Sequence, residues 1–92
     1  MITAVVLIHA VHDRIPEVAE VLAEIDAVSE VYSVAGRFDL VAIVRVPDHD
    51  RLADAIAGGV DKVPGIERTE TLIAFRAYSR RDLEAAFSLG LG

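Results

Sequence analysis

The order of apolar runs and turns predicts an α+β chain of ferredoxin-like type, βαββαβ, a four-stranded antiparallel sheet with two helices on one face. Three observations carry this expectation. Strongly β-branched runs at residues 2–9, 40–46 and 66–78 bracket two segments whose apolar residues recur at helical spacing. A looser period-two run, residues 28–35, reaches the next strand through the breaker Gly36-Arg37-Phe38-Asp39. The length of 92 residues suffices for one core, so residues 1–92 are read as a single domain with residues 79–92 a short helical tail.

Each element has its own warrant. The first run, Ile2-Thr-Ala-Val-Val-Leu-Ile-His9, stops at the polar cluster His12-Asp13-Arg14, as a buried strand does. Ile15, Val18, Val21, Leu22 and Ile25 then mark a helix over about residues 14–25. Its first turn holds Pro16, whose missing N–H is harmless there, and Glu17, whose charge suits the dipole. After Pro47, Asp48 is a natural N-cap for a second helix marked by Leu52, Ala55, Ile56, Val60 and Val63. Gly58-Gly59 weakens that helix, by about 1 kcal/mol per glycine relative to alanine, and Val63-Pro64-Gly65 ends it. Ser79 with Asp82 makes a capping-box pattern for the terminal helix, which uses Leu83, Ala86 and Phe87. Both longer helices open on the same His-Asp-Arg-aliphatic string, at His12 and at His49, suggestive of an internal repeat.

Composition narrows the function classes. A hydrophobic fraction of 53% with 26% charged residues describes a packed globule and excludes a disordered chain. Nine Lys and Arg against 15 Asp and Glu leave a net charge of -6, which offers no global attraction to nucleic acid or an anionic membrane. The absence of cysteine removes disulfides, thiolate metal sites and cysteine nucleophiles. The first apolar run is far short of the roughly 20 residues that span a bilayer. A cytoplasmic location without membrane contact is therefore expected.

The strands do not alternate apolar with polar. Ile2, Ala4, Val6 and Ile8 point one way and Val5 and Leu7 the other, while Leu40, Ala42 and Val44 oppose Val41 and Ile43. Two helices cover one face only, so the second apolar face needs a cover. The simplest is the same sheet of a second copy, giving an obligate homodimer of the dimeric α/β-barrel kind. The tail from Ser79 onward, with about three large apolar residues, is too small to cover four strands.

Chemistry-bearing residues are few. His9, His12 and Asp13 lie close in sequence, but an extended segment sends His9 and His12 to opposite faces, which opposes a metal set. His49 between Asp48 and Asp50 reads as an N-cap cluster. No Walker loop, dinucleotide fingerprint or catalytic triad pattern occurs, so neither catalytic residues nor a cofactor or metal are expected. At Gly36-Arg37-Phe38-Asp39 a glycine permits positive φ and close approach of a ligand to the backbone. Asp39 could pair with an ammonium group and exposed amides could receive a carboxylate. On that string alone a tight hairpin is the better account. Thr69 and Thr71 offer hydroxyls on one face of the last strand, and by themselves are ordinary strand threonines.

The string Val31-Tyr-Ser-Val-Ala-Gly36-Arg-Phe-Asp39-Leu-Val, followed by Val63-Pro-Gly65-Ile66-Glu-Arg-Thr69-Glu-Thr71, resembles the effector-binding domain of the Lrp/AsnC family, also called the RAM domain. The likeness covers nearly the whole chain. It implies sheet-to-sheet dimers assembled further into octameric or decameric rings, with a small effector, usually an amino acid, in the cleft between dimers. It also implies that Gly36, Arg37, Phe38 and Asp39 form the effector loop, with Asp39 meeting the amino group, and that Thr69 and Thr71 lie near the cleft. Family regulators carry an N-terminal helix-turn-helix domain, whereas this sequence starts at strand one. A stand-alone module without direct DNA binding is thus expected, with a full-length Lrp/AsnC regulator as a candidate partner.

Three functions compete. The first is a homo-oligomeric sensor of an amino acid or similar metabolite. The second is a small dimeric α/β-barrel enzyme of cofactor-free monooxygenase or isomerase type, needing polar groups inside the sheet–helix layer, where the first strand offers only His9. The third is an interaction module that modifies assembly of a related regulator. The charge balance makes one expectation common to all: at physiological salt the pure protein produces no shift of duplex DNA in a gel, and a salt-dependent shift would count against it.

Overall fold

A computed structural model describes residues 1–80. The elements are β1 (Ile2–Ala10), a 3-10 turn (His12–Arg14), α1 (Ile15–Ala23), β2 (Val28–Ser33), β3 (Leu40–Val46), α2 (His49–Ala57), a second 3-10 turn (Val60–Lys62) and β4 (Ile66–Ile73). The four strands form one antiparallel sheet in the order β2-β3-β1-β4, the ferredoxin-like arrangement expected from the sequence. The terminal helix expected around Asp82, Leu83, Ala86 and Phe87 lies outside the described residues.

Element ends depart from the periodicity for identifiable reasons. Apolar spacing carried the first helix to Ile25, but the chain tightens after Ala23, with Glu24 N–H donating to Val21 and Ile25 N–H to Leu22. Ile25 still packs on the core, which is why its spacing looked helical. Similarly, α2 stops at Ala57 before Gly58-Gly59, not at Val63. Val60 and Val63 are nonetheless buried, delivered by the 3-10 turn. Asp48 caps α2 as expected, its Oδ1 accepting from Arg51 N–H at 2.8 Å. The last strand ends at Ile73 instead of Tyr78, because β1 opposite it begins at Ile2. Its final tie is Ala74 N–H to Thr3 C=O at 2.9 Å, and in this register Tyr78 falls beyond the start of β1.

One face of the sheet is the core. Ala4, Val6, Ile8 and Ala10 of β1 and Leu40, Ala42, Val44 and Val46 of β3 are buried against Val18 and Leu22 of α1, Leu52 of α2 and Val60. Each large side chain so buried contributes about 1.5–3 kcal/mol of transfer free energy. No buried residue is polar among those described. On the opposite face Val5, Leu7, Val41 and Ile43 are only half-buried, and Tyr32 and Leu72 are 50% and 49% exposed. The two-sided apolar pattern read from the sequence is therefore present, with one side covered by α1 and α2.

The Pro64-Gly65 turn positions β4. Gly65 has φ +96, and a Cβ there would lie 2.8 Å from Val18 Cγ2, so both backbone and packing demand glycine. Its carbonyl accepts from Val11 N–H at 2.8 Å, which ties the turn to the end of β1. Beyond it the β1–β4 register slips: Ala10 faces Ile66 but His9 faces Arg68, leaving Glu67 as the extra residue of a bulge. Gly65→Ala is expected to lower unfolding stability by about 1–3 kcal/mol, measured as a reduced urea midpoint at unchanged m-value.

Candidate functional site

The β2–β3 hairpin meets the end of β1 through Asp39. Its backbone N–H donates to Ile8 C=O at 2.9 Å, its C=O accepts from Val34 N–H at 3.0 Å, and its carboxylate Oδ2 accepts from Ala10 N–H at 3.0 Å. The side chain thus stands where a backbone carbonyl would stand in the next rung of the β1–β3 ladder, past the last pair Ile8–Leu40. Oδ1 makes no hydrogen bond among the described residues, and the side chain is 31% exposed. Gly36 adopts φ +137, and nothing lies within 4 Å of where its Cβ would be. Both features anticipated at this string are real: a backbone that needs glycine and a carboxylate at the turn.

Phe38 and Arg37 add a stack that spacing alone does not show. The Phe38 ring lies 4.5 Å from the His9 ring, centroid to centroid, at 36°, and the Arg37 guanidinium sits 6.0 Å from the Phe38 centroid. Arg68 Nη2 lies 3.0 Å from His9 Nε2. His9 Nδ1 faces Asp39 Oδ2 at 3.9 Å. Carboxylate, imidazole and guanidinium therefore follow one another across three elements, the hairpin, β1 and β4. A hollow of about 290 Å³ opens beside them, lined by His9, Glu67 and Arg68.

Thr69 and Thr71 fall elsewhere. By register they oppose Ile8 and Val6 and so share the helix-covered face, with Thr69 half-buried and Thr71 exposed. Within one chain β1 lies between their strand and the hairpin. Arg68 is the residue that sequence reading missed: it is 59 positions from His9, and only the β1–β4 strand register sets the two opposite each other. The sole hint was the polar run Glu67-Arg68-Thr69-Glu70 on the last strand. Among the described residues no group of three or more His, Cys, Asp or Glu side chains could hold a metal ion, and no helix is long and apolar enough to cross a membrane. A larger hollow, about 440 Å³, lies at the opposite end of β3 between Ile25 and the α2 end at Gly58-Gly59.

The helix-free face has polar margins. Along β2 and β3, Glu30 accepts from the Tyr32 hydroxyl and from Arg45 Nη1 at 3.4 Å. The Tyr32 bond first, and then Arg45, hold the Glu30 carboxyl below the usual carboxylate range, while the same bond raises the Tyr32 hydroxyl. On the β1–β4 side stand His9, Arg68 and Glu70, with Val5, Leu7, Val41 and Ile43 between the two margins. An apolar centre with a polar rim is the anatomy of a protein–protein interface.

Known proteins share this architecture. The family model for the Lrp/AsnC ligand binding domain matches residues 3–83. The HTH-type transcriptional regulator FL11 of Pyrococcus abyssi (strain GE5 / Orsay) is 28% identical over 75 residues, 82% of this chain and 49% of that protein. The chain spans about half or less of the length of the curated relatives it matches. The crystal structure of TTHA0845 from Thermus thermophilus is 51% identical, with a TM-score of 0.82 over 87% of this chain and 100% of that one. The feast or famine regulatory protein Rv3291c from M. tuberculosis, solved in complex with L-methionine, is 28% identical, with a TM-score of 0.69 over 88% of this chain and 55% of that one.

The Asp39 geometry makes a stability prediction. Asp39→Ala strips the Ala10 N–H of its acceptor and is expected to cost about 1–3 kcal/mol in urea unfolding, whereas Asp39→Asn keeps an acceptor oxygen and costs less.

Proposed function

The chain belongs to the Lrp/AsnC ligand binding domain family, and from that premise we propose that it is an effector-binding and oligomerisation module that takes an amino acid or similar small metabolite at the Gly36–Asp39 hairpin. The observation that carries this reading is the division of labour in the Asp39 carboxylate. Oδ2 is spent on Ala10 N–H, which fixes the side chain, while Oδ1 stays available to an ammonium group. A rigid acceptor loses little freedom when a ligand arrives, so its contact is retained as affinity. The L-methionine complex of Rv3291c supports an amino acid as the ligand class.

The second copy is part of the proposal. The helix-free face, apolar at Val5, Leu7, Val41 and Ile43 and rimmed by polar side chains, pairs with the same face of another chain. Such dimers join into an octamer or decamer, and Thr69 and Thr71, separated from the hairpin by β1 in one chain, contribute across the cleft between dimers. The match to the whole TTHA0845 crystal chain over 87% of this one supports reading the matched part as one domain. Net charge of -6 favours action through a full-length Lrp/AsnC regulator over direct contact with DNA, and the location is cytoplasmic, where such regulators work.

An enzyme of dimeric α/β-barrel type would place its chemistry between sheet and helices. That layer is filled by aliphatic side chains, with no buried polar residue among those described, which favours binding over catalysis.

Sedimentation equilibrium is expected to give a dimer or a multiple of it at micromolar concentration, and Ile43→Glu to shift the mass downward or abolish folding. A thermal-shift screen against the twenty standard amino acids should find at least one that raises Tm. A stable folded monomer refutes the assembly, and no shift with any amino acid refutes an amino acid as the effector.

A further inference from the structure

We infer that Arg68 is the carboxylate anchor of the effector site and that His9 is its positioning residue, so that the module recognises the paired charges of an α-amino acid across a single imidazole. The inference rests on the effector reading of the hairpin and deepens it.

The chemistry of the contact decides the roles. A guanidinium has donors only, so the 3.0 Å contact between Arg68 Nη2 and His9 Nε2 requires the imidazole nitrogen to accept. Nε2 therefore carries no proton, and the ring proton sits on Nδ1, which faces Asp39 Oδ2 at 3.9 Å. The ring is held from three directions: Phe38 at 4.5 Å on its face, Arg68 at one nitrogen and the Asp39 carboxylate opposite the other. A rotamer-rich arginine on an edge strand is by this means given one orientation before any ligand arrives.

Among the described residues His9 is the one hydrogen-bond partner of the Arg68 guanidinium, which leaves donors of the fork to grip a carboxylate with two parallel hydrogen bonds. Asp39 Oδ1 stands on the far side of the same ring as the acceptor for an ammonium. A free α-amino acid carries these opposite charges on one carbon, a few ångströms apart, which suits poles separated by one imidazole. The hollow of about 290 Å³ beside His9, Glu67 and Arg68 gives the ligand room there. The regular β1–β4 ladder, unbroken from Ala4–Ile73 to His9–Arg68, sets Arg68 opposite His9, and the bulge at Glu67 follows immediately after that pair.

The test begins with the unaltered protein. The amino acid that raises Tm most among the standard twenty is titrated by calorimetry together with its α-carboxamide, which keeps the ammonium and side chain but lacks the carboxylate. Wild type should bind the carboxamide at least about tenfold more weakly, and Arg68→Gln should lose affinity for the acid by a similar factor while binding acid and carboxamide alike. His9→Gln, which keeps an acceptor oxygen for Arg68, should retain more affinity than His9→Phe, which keeps only the stack on Phe38. A merely packing role would give the reverse order. Sedimentation should show each variant with the wild-type mass. Equal binding of acid and carboxamide by wild type, or unchanged affinity in Arg68→Gln, overturns the inference and leaves the effector reading standing. No amino acid bound by wild type overturns both the inference and an amino acid as the effector.

Discussion

Two short helices can cover only one side of a four-stranded sheet, and this chain made both sides apolar. Burial on the helix side drives folding: Ile8, Val6, Leu40 and Val44 vanish from solvent against α1 and α2. On the opposite side Val5, Leu7, Val41 and Ile43 are half-buried and Leu72 half-exposed, apolar surface that neither α1 nor α2 covers. The hairpin, the β1 end and β4 meet at the rim of that side, which sets the residues proposed for the effector beside the surface proposed for association.

The rim is organised by economical use of hydrogen bonds. Asp39 lends a carboxylate oxygen to a ladder position where a backbone carbonyl would otherwise serve, and this fastens the loop that holds Phe38 against His9. The β1–β4 register does the corresponding work from β4. Gly65 makes that approach feasible, because any side chain there would strike Val18. Fold stability and site geometry are consequently linked through a few backbone positions, and substitutions in the turn before β4 act on both.

Much of the fold was legible along the chain. β-branched runs, helical spacing of Ile15, Val18 and Leu22, the Asp48 cap and the break at Gly36–Asp39 each reflect local physics, so strand order and helix placement followed from them. Where the reading overshot, tertiary packing had borrowed the pattern. Val60 and Val63 kept helical spacing because they are buried, though a 3-10 turn carries them. The last strand was read to Tyr78 because its composition continues, though its hydrogen-bond partner does not.

By itself the sequence determined the βαββαβ order, the two-sided apolar sheet, and the hairpin with Gly36 and Asp39, because each depends on residues near one another in the chain. Tertiary structure alone decided that Asp39 bonds Ala10, that Phe38 stacks on His9, and that Arg68 stands across from that histidine. Those contacts join positions 29 to 59 residues apart. They are settled by strand register, and a slip of one residue, such as the bulge supplies, turns a side chain to the other face without leaving any mark in local composition.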